Sequence, residues 1–277
     1  MIKQKKDRLI LLAHSYNMQN NYEELDKISQ VILESKSPKL NYEFAKTVHP
    51  YKLKEHEKAV LKSKNAKYCL LFAQDIKGAN IKAHEKVVLS SKNPELNYLF
   101  AQEVDGANIK AHEKVIIESK DAYYCLMFAK DFKQADIESH EKVILESKVP
   151  SANYEFAFHF ADIISPLKLK LHEQVVINSK QPAYCYLFAK NLKGANIEQL
   201  AKVVIDSKDV GWNYCFALNI KGADVVAHGK VILDNNTDKN SQNTVEMFKK
   251  RFPKEYNEID STNKSVENAN DENILSL

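Results

Sequence analysis

Arginine is almost missing from this sequence of 277 residues, which contains only Arg8 and Arg251 among its 40 basic residues. Specific recognition of bases and phosphates relies on the planar guanidinium group, so this scarcity counts against a sequence-specific nucleic-acid-binding protein. The basic residues are nearly balanced by 37 acidic ones, and the net charge of +3 is typical of a solvated surface of mixed sign.

Long apolar runs and the motifs of common active sites are also missing. No segment approaches the length of about 20 apolar residues that a membrane-spanning helix needs, and the run from Leu9 to Ala13 is too short for a signal peptide. The sequence contains no glycine-rich phosphate loop, no G-x-S-x-G motif and no paired carboxylates repeated in one place. We therefore expect a cytoplasmic, non-enzymatic protein with no catalytic residue, metal, cofactor or membrane partner.

A repeat of 28 residues dominates what is present. A Ser-Lys pair recurs at intervals of 28, 28, 28, 28, 32 and 28 residues, and an Ala preceded by Phe stands ten residues after each Ser. The one longer interval reflects four extra residues between Phe158 and Leu167. Landmarks in such register indicate a repeat architecture. The pairs begin at Ser35, Ser63, Ser91, Ser119, Ser147, Ser179 and Ser207.

Each repeat contains two helical periodicities. Apolar residues three and four apart predict one helix, helix A, over about 81–91 and a second, helix B, over about 94–104. Asn80 is placed to cap helix A, Gly78 to end the preceding helix, and Pro94 to begin helix B. Helices this short must pack against neighbours. The sequence predicts an all-α fold, a right-handed αα-superhelical solenoid of about seven 28-residue two-helix repeats.

The repeat pattern also sets the predicted boundaries within the chain. We expect an N-terminal capping helix over 1–22, the αα-repeat solenoid over 23–235 and a C-terminal capping segment over 236–256. Residues 257–277 are polar and without periodicity, which favours a disordered tail.

One column of helix B alternates between asparagine and cysteine. Its cysteines stand two repeats apart and so about 20 Å from one another, too far for a disulfide or a shared metal ion. We interpret them, with Cys215, as small buried residues in a reducing compartment. The alternation indicates a structural repeat of two units. The column holds Asn41, Cys69, Asn97, Cys125, Asn153, Cys185 and Asn213.

Six histidines recur in one column of helix A. They could form a ladder of metal sites, but the column lies at the centre of the apolar face and holds Ile28 and Leu200 in two repeats. We interpret them as buried, neutral residues whose pKa lies below the usual value of about 6.5, because burial disfavours the charged form. The histidines are His56, His84, His112, His140, His172 and His228.

The lysine of each Ser-Lys pair has two interpretations. A series of ammonium groups along one edge could bind a nucleic-acid backbone or another polyanion. Alternatively, each lysine complements the dipole of helix A at its C-terminus, worth about 0.3–1 kcal/mol, and needs no ligand. The residues are Lys36, Lys64, Lys92, Lys120, Lys148, Lys180 and Lys208.

The outward side of helix B is the leading candidate for a protein-binding surface. An apolar column lies opposite the inward-facing Asn97 and Ala101, where a solvated helix should be polar. The alternative is that helix B forms the inner, buried layer of the solenoid. The predicted strip, with its flanking tyrosines, contains Leu71, Leu99, Met127, Leu187, Tyr98, Tyr154, Tyr186 and Tyr214.

The repeated F-A, G-A-N and S-K-x-P elements resemble those of short αα-repeat solenoids of the HEAT and tetratricopeptide kind. The sequence is most similar to bacterial and phage proteins of unknown function whose 28-residue units have the form K-G-A-N-I-x-x-x-E-x-x-V-I-x-S-K. The resemblance covers about residues 25–235 and implies a binding protein. The unit is shorter than a HEAT or tetratricopeptide repeat, so no ligand residue is transferred from those families.

Overall fold

The chain is all-α. A computed structural model describes the backbone of residues 2–262 and the side chains of residues 8–262, and this part contains no strand. Its helices form two compact units, Met1–His140 and Glu141–Leu277. The helices that lie wholly in the first unit are α1 (Ile2–Met18), α2 (Tyr22–Glu34), α3 (Pro38–Thr47), α4 (Leu53–Ser63), α5 (Ala66–Asp75), α6 (Ile81–Ser91), α7 (Pro94–Glu103), α8 (Ile109–Ser119) and α9 (Ala122–Asp131).

The helix α10 (Ile137–Ser147) runs across the boundary between the units. The second unit continues with eight helices within the described residues. They are α11 (Pro150–His159), α12 (Pro166–Asn178), α13 (Pro182–Asn191), α14 (Ile197–Asp206), α15 (Val210–Asn219), α16 (Val225–Asp234), α17 (Lys239–Arg251) and α18, whose described residues are 253–262.

Helices A and B alternate as the periodicity predicts, and the prediction of an all-α repeat solenoid is confirmed. Helix A corresponds to the even-numbered helices α2 to α16, and helix B to the odd-numbered helices α3 to α15. Within each unit the tightest packing joins a helix B to the helix A that follows it, as in α5 with α6 and α7 with α8, and not a helix A to the next helix B. The structural hairpin is therefore B–A, with the G-A-N turn at its tip.

The Ser-Lys pair forms the turn between hairpins. In all seven copies the Ser Oγ donates a hydrogen bond of 2.6–2.7 Å to the carbonyl oxygen three residues earlier. The same Oγ accepts the backbone N–H two residues later at 3.2 Å. The lysine between them adopts a left-handed conformation, with φ from 53° to 57°. The serine thus fixes the turn that starts helix B.

The G-A-N turn is the second fixed joint. Its glycines adopt φ from 78° to 87°, the left-handed conformation that the sequence predicts. The predicted caps are also present, since Asn80 Oδ1 accepts the N–H of Ala83 and Asn108 Oδ1 accepts that of Ala111. Both ends of each connection are therefore set by local hydrogen bonds.

Helix packing continues beyond the predicted ends of the repeat array. The helix α1 packs against both α2 and α3, as a helix B does, and buries Ala13. At the other end α17 packs against α15 and α16. Residues 257–262, for which the sequence predicts a disordered tail, are helical, and Ile259 is fully buried. The remainder of the predicted tail, 263–277, lies outside the described residues.

The packing of α17 and α18 on the last helix A, α16, depends on Gly229. It occupies the column in which earlier repeats carry glutamate, such as Glu57 and Glu113. A Cβ atom at Gly229 would lie 2.5 Å from Phe248 Cζ and 2.6 Å from Ile259 Cδ1. The missing side chain therefore makes room for α17 and α18 on α16.

Each hairpin has the same buried centre. The phenylalanine of every F-A pair is fully buried, and so is every histidine of the helix A column. The helix B phenylalanine packs on the histidine ring of the same hairpin, with centroids 4.2 Å apart for Phe44 and His56 and 5.0 Å apart for Phe100 and His112. Among the described helices, none is both long and apolar enough to cross a bilayer.

Candidate functional site

The predicted apolar strip of helix B is only partly exposed. Leu71, Leu99, Met127 and Leu187 are all half-buried, on B helices that pack against neighbouring B helices. Leu71 and Leu99 contact the core of the first unit, and Leu187 contacts that of the second. The strip is thus a shallow surface on each unit rather than a row of fully solvated side chains.

The flanking tyrosines fall into two classes. Tyr98 and Tyr186 retain only 6% and 7% of their exposed area, so the expectation that they edge an open strip is wrong for them. Tyr154 and Tyr214 are half-buried. The burial arises because each aromatic ring is covered by one from the next helix B, Tyr124 for Tyr98 and Trp212 for Tyr186.

These aromatic pairs recur with one geometry. The ring centroids are 5.6–6.4 Å apart and the ring planes are inclined by 43–47° in all four. In three of them the first phenol is held by a polar residue of the next helix B: Tyr42 donates to Asp75, Tyr98 donates to Asp131, and Tyr154 accepts from Asn191. The pairs are Tyr42–Tyr68, Tyr98–Tyr124, Tyr154–Tyr184 and Tyr186–Trp212.

The seven lysines of the Ser-Lys pairs are all exposed. None of them forms an ion pair within the described part of the chain. Lys36, Lys64, Lys92 and Lys120 belong to the first unit, and Lys148, Lys180 and Lys208 belong to the second. Each unit therefore presents unpaired ammonium groups at the turns that precede helix B.

The asparagine column of helix B holds the histidine of its own hairpin. Asn97 Nδ2 donates to the carbonyl oxygens of Val88 and Asn93, at 3.3 and 2.7 Å, which fixes the orientation of the amide. Its Oδ1 is therefore the acceptor for His112 Nδ1, 2.8 Å away. The same arrangement recurs in His56 with Asn41, His172 with Asn153 and His228 with Asn213. In these four hairpins the imidazole proton must lie on Nδ1.

The cysteine column produces the opposite tautomer. In the hairpins of Cys69 and Cys125 the Nδ1 atoms of His84 and His140 have no hydrogen-bond partner. Their Nε2 atoms instead lie 3.2 Å from carboxylate oxygens, of Glu57 and Glu113. Since a carboxylate only accepts, the proton lies on Nε2. From His56 to His172 the alternation of asparagine and cysteine is therefore an alternation of histidine tautomers, and the hairpin of Cys185 carries Leu200 in place of a histidine.

A glutamate column, missed by the sequence analysis, links successive hairpins. Glu57 Oε1 accepts the backbone N–H of Asn80, 2.6 Å away, as well as the His84 proton. In the asparagine-type hairpin of Asn97 the contact to histidine is poorer: His112 Nε2 lies 3.3 Å from Glu85 Oε1 and makes no hydrogen bond. Both atoms present lone pairs there, because the His112 proton is already on Nδ1.

The extra residues near Phe158 change this linkage at one point. Here the first residues of α12 stand in place of a G-A-N turn. Glu141 is almost completely buried and forms an ion pair with Lys168, which lies in this first turn of α12. Its Oε1 atom lies 3.5 Å from His172 Nε2. A lysine ammonium thus takes the place that a backbone N–H has at Glu57.

Burial lowers the pKa of all six histidines below 6.5, as the sequence analysis expects. The pKa falls to about 4 for His56, His172 and His228. Between these values the unfolded chain binds protons that the folded chain does not. The stability that depends on neutral histidines is therefore complete above about pH 6.5 and is lost as the pH falls towards 4.

The buried cysteine thiols are not activated as nucleophiles. Burial raises the pKa of Cys69, Cys125 and Cys185 to about 12, which removes the thiolate that a nucleophile needs. Within the part of the chain that the structure describes, no three His, Cys, Asp or Glu side chains are grouped to hold a metal ion. The histidine column is thus a structural core element in which Asn, Cys and Glu set the protonation.

The two hairpin types predict unequal responses to one substitution. His84→Leu should cost little stability, because it creates beside Cys69 the Cys–Leu combination that Cys185 and Leu200 already form. His112→Leu should cost about 1–3 kcal/mol more, since Asn97 Oδ1 loses its only donor inside the core. Urea unfolding at neutral pH measures both.

Asn97→Cys in the His112→Leu background is the matched control, and it should recover most of the lost stability. Equal losses for the two leucine variants would contradict the assignment of different roles to the two histidines.

No protein-family model, no curated protein and no solved structure matches the chain.

Proposed function

We propose that the chain is a non-enzymatic helical-repeat scaffold that binds another protein through the exposed side of helix B. The main support for this proposal is one column of helix B that is apolar although it is partly exposed to solvent. Leu71, Leu99, Met127 and Leu187 are half-exposed and uncharged, whereas the same column holds Glu43 and Glu155 in two other helices. A partner that covers this column gains the burial of apolar area, about 25 cal/mol per Å².

The aromatic pairs support the same proposal. Tyr123 is 60% exposed beside the Tyr98–Tyr124 pair in the first unit. Tyrosine and tryptophan are enriched at the energetic centres of interfaces, since they supply a large contact area at a small cost in side-chain entropy. Their fixed inclination means that little further ordering is needed when a partner binds.

Substitution in the first unit tests this proposal. Leu99→Glu combined with Met127→Glu introduces the residue that α3 and α11 already carry in this column, so the fold should be retained. A photo-crosslinking amino acid at Tyr123 should capture the partner, whereas one at the exposed Lys86 on α6 should not.

Binding of the captured protein should weaken by more than about tenfold in the double variant, since each glutamate would be desolvated without a partner charge. Titration calorimetry with the purified partner measures the affinity, and circular dichroism checks that the helical content is unchanged. Equal affinity of variant and wild type would show that helix B is not the interface.

The lysine turns favour a second candidate function, the binding of a polyanion. A left-handed conformation costs a residue with a side chain about 1–2 kcal/mol. The favourable interaction of a lysine charge with the helix dipole is typically only about 0.3–1 kcal/mol. Glycine avoids this cost, and the chain does use glycine at the left-handed position of the other turn, as in Gly78 and Gly106. The retention of lysine at seven such positions is consistent with a role for the charge itself.

Lysine-to-glycine variants separate the charge from the turn. Lys64→Gly, Lys92→Gly and Lys120→Gly together should keep or raise stability, because glycine accepts the left-handed conformation. If the turns bind a polyanion, the affinity for a single-stranded oligonucleotide should fall in this variant, with the salt slope reduced by about 0.7 for each lysine that contacts a phosphate. An unchanged affinity, or no salt-dependent binding by the wild type, would exclude this function.

A further inference from the structure

The outer face of α12 differs from those of the other A helices. At 13 residues it is one turn longer at its N-terminus than α6, and it begins with the residues inserted near Phe158. Leu167 is 70% exposed and Leu171 is 48% exposed. Helical spacing places them on one stripe with Gln174 and Asn178, all four exposed. Phe158 and Ile163, in the same inserted segment, are exposed as well.

The repeat itself shows how unusual this stripe is. Six other A helices carry a lysine in the Gln174 column, at Lys58, Lys86, Lys114, Lys142, Lys202 and Lys230. In α8 this lysine lies 3.8 Å from the acidic residue four positions later, in the pair Lys114–Glu118. In α12 both charges are replaced by amides, and Gln174 Nε2 donates to Asn178 Oδ1 at 2.9 Å. One helix has therefore exchanged a charged outer face for an uncharged one with two exposed leucines.

Charge restricts what can cover this stripe. If a charged surface packed on this uncharged, partly apolar stripe, its charges would lose their hydration without gaining an oppositely charged partner, which costs free energy. Six other A helices present lysine in this column, and α2 presents Gln30 beside Glu34, whereas α12 of a second molecule presents leucine and amides, which both donate and accept hydrogen bonds. We propose that α12 is a self-association surface, on which the α12 of a second copy of this chain packs antiparallel about a twofold axis.

The helix geometry fixes the arrangement of such a dimer. An axis passing between Leu171 and Gln174, at the middle of the stripe, sets the Leu171 of each copy against the Gln174 of the other and Leu167 against Asn178. The stripe is about 16 Å long at 1.5 Å per residue. Lys170 borders it, so the dimer brings two ammonium groups near each other at the edge of the contact. A contact of this size lies at the lower end of specific interfaces, and the association is accordingly weak.

Sedimentation velocity on the full chain, from about 10 µM to 1 mM, tests the proposal in the range expected of a small interface. The wild type should shift from monomer to dimer with concentration. Leu171→Lys, and separately Gln174→Lys, should weaken the dimer by more than about tenfold, because each places two like charges at the contact. Gln174→Lys introduces the residue that six other A helices carry in this column, so the variant should fold and a weaker dimer would not reflect unfolding.

Gln199→Lys is the matched control, since it lies on α14 in the same column as Leu171 and is exposed. It should leave the dimer unchanged. Raising the sodium chloride concentration from about 0.05 to 0.5 M should strengthen the wild-type dimer by screening the two Lys170 side chains. A wild type that stays monomeric throughout, a dimer insensitive to both α12 variants, equal loss with Gln199→Lys, or a dimer that salt weakens would each overturn the proposal.

Discussion

The hydrogen bond between an asparagine of helix B and a histidine of helix A is the constraint on which the repeat depends. The Asn97 amide donates its two protons to backbone carbonyl oxygens at the end of one helix and the start of the next. Its oxygen accepts the proton of His112 Nδ1. One buried side chain thus joins three successive helices. Because a buried polar atom without a partner costs about 1–3 kcal/mol, this geometry tolerates few alternatives.

The same constraint explains why the repeat has a period of two units. Cys125 Sγ also lies near the carbonyl oxygen that asparagine would bind, 3.7 Å from Ile116 O, but it leaves the histidine free. His140 then turns its proton to Glu113 of the preceding hairpin. The Nδ1–H of an asparagine-type histidine is consequently bonded within its own hairpin, whereas the Nε2–H of His84 and His140 is bonded to the preceding hairpin. Three of the tyrosine pairs follow this period, each beginning at the residue after an asparagine, as at Tyr42 and Tyr98.

Much of the fold is predictable from the sequence because its signals are local. The helix periodicities, the caps at Asn80 and Asn108 and the left-handed glycines all act within a few residues, and the structure contains each of them. The burial of the histidines is predictable too, since their column is the centre of an apolar stripe. Periodicity does not reveal which helices pair, however, because a repeating string has no natural first residue. The B–A hairpin therefore emerges only from the packing.

The candidate surfaces are less predictable for the same reason. A helical wheel places Tyr98 and Tyr186 outward but does not show the ring of the next helix B that covers them. The Asn–His bond spans 15 residues between Asn97 and His112, so the sequence shows both columns without showing that they touch. After Asn235 the repeat pattern of the sequence ends, but helices continue to pack on the last repeat. Phe248 and Ile259, which do not belong to the pattern, fill the space beside Gly229.

The central claim, that asparagine and cysteine set alternate histidine tautomers, is tested most directly by long-range ¹H–¹⁵N correlation spectra of the imidazole rings at neutral pH. The account predicts a proton on Nδ1 for His56, His112, His172 and His228, and on Nε2 for His84 and His140. The same tautomer in all six rings, or an Nε2 proton in the rings bonded to asparagine, would contradict it.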